Sequence, residues 1–70
     1  MQRSIATDFR RWRKHLKLSQ AGAAEALGLS LSRVKDLDAG IHRGTGAPAV
    51  PDRKLRLAMA AVAAGLAPWN

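Results

Sequence analysis

With 70 residues, and twelve Lys or Arg against five Asp or Glu, the chain carries a formal charge of +7 and has room for one small domain with a modest core. It contains no cysteine, which excludes a disulfide framework and any thiolate metal site, so packed helices must hold the fold. Residues 1–6 lack the long apolar run of a secretion signal and the Ala-rich stretch 57–67 is too short to span a bilayer, so a cytoplasmic protein with no membrane partner is expected.

A first helix is predicted over residues 7–17, where Ile5, Phe9, Trp12 and Leu16 recur at helical spacing. Thr7 can cap its free N–H groups and Asp8 suits the positive end of its dipole. A second begins after the cap Ser19, carries Ala23, Ala24 and Leu27 inward, and stops at Gly28, which tolerates a left-handed backbone. A third starts at the cap Ser30, buries Leu31 in part and then Val34 and Leu37, and ends at Gly40. Its other side, Ser32, Arg33, Lys35 and Asp36, is polar. Residues 41–50 have no period and several breakers, and are expected to form an ordered surface loop.

The fourth helix is predicted over residues 51–64, with Pro51 as its first residue and Gly65 beyond its end. Leu55, Ala58, Met59 and Val62 form its inner stripe, while Leu57, Ala60, Ala61 and Ala64 widen the apolar surface beyond what a small core needs. That surplus points to a partner surface. With no strand alternation anywhere, the fold class is all-α: a compact single domain of four helices over residues 1–70.

The basic residues cluster as Arg10, Arg11, Arg13, Lys14 and Lys17, then Arg33, Lys35 and Arg43, then Arg53, Lys54 and Arg56. Such clusters are either solvated helix faces or the footprint of a polyanion. Two short helices joined by Gly28-Leu29, the second opening on a Ser cap and showing polar residues early, form a layout that sets one helix into a DNA major groove. Here the sequence is similar to the Cro and repressor type of helix-turn-helix, also called the xenobiotic-response-element family. The likeness runs from about residue 9 to residue 66 and rests on Trp12-Arg13, Leu18-Ser19-Gln20, Ala23-Ala24, Leu27-Gly28-Leu29-Ser30, Val34, Leu37-Asp38 and Gly40.

The resemblance implies a sequence-specific regulator of transcription, a repressor or autorepressor that binds an inverted-repeat operator in double-stranded DNA as a homodimer, with its motif over about residues 19–39. It implies that Leu31, Ser32 and Asp36 face the bases, with Arg33 and Lys35 within reach of bases or phosphates. Arg33 can pair with guanine or take a phosphate, and Leu31 can touch a thymine methyl or pack under the turn. Asp36 can accept from a base amino group or hold Arg33 or Lys35 in place. Ser19 and Gln20 stand at a helix N-terminus that favours a phosphate, although Ser19 is equally a simple cap. His42, Arg43 and Lys35 are the further backbone candidates.

Arg13 and Asp38 match positions that in this family often form a partly buried ion pair, usually with Glu in place of Asp. The chain departs from the family pattern again at Ala23, smaller than the usual residue, and in its four helices where many relatives have five. The Ala-rich ending and Pro68-Trp69 resemble small regulators encoded by phages and other mobile elements, among them autorepressors accompanying anti-CRISPR genes. Leu57, Ala61, Ala64, Leu66 and Trp69 are the candidate dimer contacts, with Trp69 folding back on its own domain as the alternative.

Other classes fit less of the sequence. There is no nucleophilic Cys, no spaced His and carboxylate set and no Gly-rich phosphate loop, so neither catalytic residues, metal ligands nor a cofactor are expected. An antitoxin-like module would bind a protein partner through the fourth helix as well as its operator. A basic amphipathic peptide acting on membranes would account for the first helix but leaves the caps and turn unexplained.

Overall fold

A computed structural model of the chain describes residues 7–69; Ile5, part of the apolar spacing that predicts the first helix, lies outside the described residues. Four helices follow one another, α1 (Asp8–His15), α2 (Gln20–Leu27), α3 (Leu31–Ala39) and α4 (Arg53–Ala63), and no strand occurs among the described residues. Each begins at a side chain that accepts a hydrogen bond from a backbone N–H three residues on. Thr7 accepts from Arg10 at 3.1 Å, Ser19 from Gly22 at 2.9 Å, Ser30 from Arg33 at 3.1 Å and Asp52 from Leu55 at 2.8 Å. The first three are the expected caps. The fourth corrects the expectation that the helix opens on Pro51: that ring is buried just ahead of the cap, and the Asp52 carboxylate supplies the acceptor Pro51 lacks.

The helix ends also obey local chemistry, with one exception. Gly28 and Gly40 close α2 and α3 at φ 70° and 80°, in the left-handed region. The first helix stops two residues short of Lys17, which itself takes φ 60°. That conformation lets the Leu18 N–H donate to the Arg13 carbonyl at 3.0 Å and turns the chain directly into the Ser19 cap.

The core is Phe9, Ala23, Ala24, Val34, Leu37 and Met59, with Trp12, Leu18, Leu27, Leu29 and Leu55 packed around it. Phe9, Val34 and Leu37 are fully buried, each contributing about 1.5–3 kcal/mol by leaving water. Trp12 packs against this cluster, its ring 5.5 Å from that of Phe9, and offsets the small Ala23. Its indole N–H donates to the Met59 carbonyl at 2.9 Å, tying α1 to α4. At the other end of α1 the Thr7 hydroxyl is shared between the Leu37 and Asp38 carbonyls, at 3.2 and 3.1 Å.

Residues 41–50 are an ordered turn, as expected. Ile41 and Pro48 pair in a single antiparallel bridge, the His42 N–H donates to the Ala47 carbonyl at 2.7 Å, and buried Ala49 bonds back to Gly40 at 3.0 Å. Among the described residues no helix is long and apolar enough to cross a membrane.

Candidate nucleic-acid interface

The α2–Gly28–α3 unit is oriented by a polar lock. Arg13 donates from Nε to both Asp38 oxygens, at 3.2 and 3.0 Å, and from a terminal nitrogen to Oδ2 at 2.7 Å. Its other terminal nitrogen donates to the Leu18 carbonyl at 2.9 Å. Both side chains are largely buried, and the short Asp side chain is long enough to close a bidentate pair. A pair like this need not add net stability, but one displaced member leaves a buried charge unpartnered, which penalises every other arrangement of the helices.

Gln20 joins the same lock. Its side-chain amide donates to Asp38 Oδ2 at 3.0 Å, a bond not anticipated for a residue expected to meet a phosphate. The second N–H of that amide group is left to point elsewhere. Ser19, beside it, is the cap of α2 through its hydroxyl. Arg10 and Lys35 line a shallow cleft with Arg13, Gln20, Asp38 and Ala39. Since Asp38 is already neutralised by Arg13, the charge left in this cleft is positive. In the sequence Arg10 is one arginine among several, and only the docking of α1 on α3 sets it beside Lys35.

On α3, helical spacing turns Ser32, Lys35, Asp36 and Ala39 away from the buried Val34 and Leu37. Ser32 and Lys35 are exposed, and Leu31 at the flank is 43% exposed, not packed under the turn. Arg33 lies on the opposite flank, half-buried, lining a cleft with Leu27, Leu29, Asp52, Lys54 and Leu55. Its side chain thus lies on the α4 side of α3.

Asp36 departs from both of its expected roles as a support, because it holds neither Arg33 nor Lys35. Its Oδ1 accepts from Arg43 Nε at 2.8 Å and from the Arg43 backbone N–H at 3.4 Å, while His42 Nδ1 lies 3.6 Å from Oδ2. The side-chain bond from Arg43 is the main reason the carboxyl titrates below the usual carboxylate range; partial desolvation opposes it, and the Arg43 amide and the charges of Arg43 and His42 assist. Because the shift is downward, whatever this carboxylate contributes is present above its ordinary titration range and is lost as the pH falls through the lowered value.

Compared with protein-family models, characterised proteins and solved structures, the chain matches none.

The fourth helix and the C-terminal residues beyond it carry the apolar surplus. Leu57 is 60% exposed and Leu66 and Ala64 are exposed, while Ala61 is half-buried. A groove between α2 and α4 is lined by Ala26, Leu27, Ala61, Val62 and Leu66, with Trp69 at its rim. Trp69 is 99% exposed, so it does not fold back into its own core.

Proposed function

We propose that the chain is a sequence-specific double-stranded DNA-binding regulator of transcription, a repressor or autorepressor that binds an inverted-repeat operator as a homodimer. The observation that carries this reading is the lock of Arg13, Gln20 and Asp38, which fixes α3 on α2 while Leu31, Ser32 and Lys35 stay exposed. A helix held by polar contacts and left bare on its outer side is suited to reading a groove. Cations frame it: Arg10 beside Lys35, and Arg43 on the following turn, within a chain of net charge +7. Base contacts fall to Leu31, Ser32 and Arg33, and backbone contacts to Ser19, Gln20, Lys35, His42 and Arg43, joined by Arg10. The likeness to small regulators of phages and mobile elements belongs to the same reading.

Selection of bound duplexes from a random DNA pool tests it. One preferred sequence should emerge, bound with a log-log salt slope on the order of −5 to −9 for a dimer making three to five phosphate contacts per subunit. Equal affinity for random and selected duplexes would refute the reading. On the selected duplex, Arg33→Ala should relax preference at one base pair at a cost of about 1–3 kcal/mol; uniform loss would make Arg33 a phosphate contact.

The dimer would use Leu57, Ala61, Ala64, Leu66 and Trp69, with recognition helices about 34 Å apart and half-site centres about 10 base pairs apart. The exposure of Leu57, Leu66 and Trp69 favours a covering partner of some kind. If sedimentation shows a monomer at tens of micromolar, that surface serves a different protein, as in the antitoxin-like reading.

A further inference from the structure

An acidic side chain on the outer side of a helix that meets DNA is costly, because it faces a polyanion. Asp36 stands there, turned away from the core of α3, yet its carboxylate is already engaged by the turn after the helix. Oδ1 takes two N–H groups of Arg43 and Oδ2 lies close to His42. We infer that Asp36 is a positioning residue of this interface: it holds the 41–50 turn so that Arg43 is presented to the DNA backbone, and it does not read a base.

Three features support the assignment. Arg43 is bound to Asp36 through Nε, and among the described residues its terminal nitrogens have no partner, so the part of the guanidinium suited to a phosphate is free. The far end of the turn is tied back to Gly40 through Ala49 at 3.0 Å, and its tip hangs on residue 42, with Thr45 and Gly46 both donating to the His42 carbonyl at 3.1 and 2.6 Å, so a contact that fixes residues 42 and 43 also fixes the tip. Finally, the ion pair neutralises the one acid on this side of α3, and an acid so satisfied has little to offer a cytosine or adenine amino group.

The inference rests on the DNA-binding reading, and its test separates the two. Binding is measured for the full chain and for Asp36→Ala, Asp36→Asn, Arg43→Ala and the Asp36→Ala/Arg43→Ala double variant, on the selected duplex, its single-base changes and a random duplex. Asp36→Ala should lose affinity by roughly three- to tenfold on all of them, with base preference unchanged, the size expected of a contact pair coupled by about 1 kcal/mol. Asp36→Asn should recover part of the loss, since its amide oxygen still accepts from Arg43. The double variant should be no weaker than Arg43→Ala alone. A changed preference at one base pair would make Asp36 a reader, and a gain in affinity on every duplex would make it only a repelling charge; either overturns the inference. In the free protein, Asp36→Ala should quicken exchange of the Thr45 and Gly46 amides, and unchanged exchange would overturn the holding itself. A parent chain that binds no duplex refutes the DNA reading, and with it the presentation of Arg43, whatever the amides do.

Discussion

The α1–α3 unit and α4 are attached to the same core by different kinds of contact. Between α1 and α3 the contacts are directional: the Thr7 hydroxyl on the end of α3, and Arg13 forked onto Asp38 with Gln20 beside it. The fourth helix is held chiefly by Met59 and Leu55 in the core, and its bond to α1 is the Trp12 indole on the Met59 carbonyl. Apolar burial is indifferent to a small rotation, whereas a bidentate pair tolerates very little. Orientation is thus specified where a helix presents residues outward at fixed positions, and only attachment is specified at α4, whose exposed residues mix Arg53, Lys54 and Arg56 with Leu57 and Ala60.

The largest effect should come from removing what both regions share. Phe9→Ala should cost about 3–5 kcal/mol, most of the stability available to a domain of this size, and abolish a cooperative urea transition followed by circular dichroism. If a transition of normal midpoint survives, the two regions do not hang on one core. Next in size, Asp38→Ala strands Arg13 and should lower stability by roughly 3 kcal/mol in the same melt. Replacing both partners together, Arg13→Met with Asp38→Leu, should recover much of that loss without recovering affinity for the selected duplex. Recovery of both would show that the lock does not set orientation.

A smaller cost, about 1 kcal/mol, is expected for Trp12→Phe, which keeps most of the packing and drops the indole bond to α4. A loss as large as that of Asp38→Ala would erase the contrast between the regions. Least of all, Leu57→Ser should move the melting midpoint of the dilute chain by no more than about 0.5 kcal/mol in free energy, since the site is exposed. Its effect should lie instead in sedimentation at high concentration, where the variant remains monomeric. A large stability loss at low concentration would place Leu57 in the monomer's own packing.

How far these features can be read from sequence depends on their range. Thr7, Ser19, Ser30, Gly28 and Gly40 are local signals that act within one turn, and their helices start and stop where they stand. The end of α1 is obscured because Lys17 takes a left-handed conformation that lysine does not advertise. Pro51 and Asp52 are both good openings for a helix, and only the hydrogen bond to Leu55 separates them. The pairing of Arg13 with Asp38 spans 25 positions, so no local spacing announces it and only the resemblance suggests it, and the part of Gln20 in it is visible only once α2 is docked. Asp36 is harder still, since its partner sits on an irregular turn whose course no periodicity describes.

The Thr7 hydroxyl spans more of the chain than any of these local signals, accepting from Arg10 at the start of α1 while sharing its proton with carbonyls 30 and 31 positions away. Helix ends ordinarily fray one at a time, each on its own small free energy. Here the first turn of α1 and the last turn of α3 share one oxygen atom, so fraying that displaces Thr7 removes a bond from both ends at once, and the two openings should be coupled rather than independent.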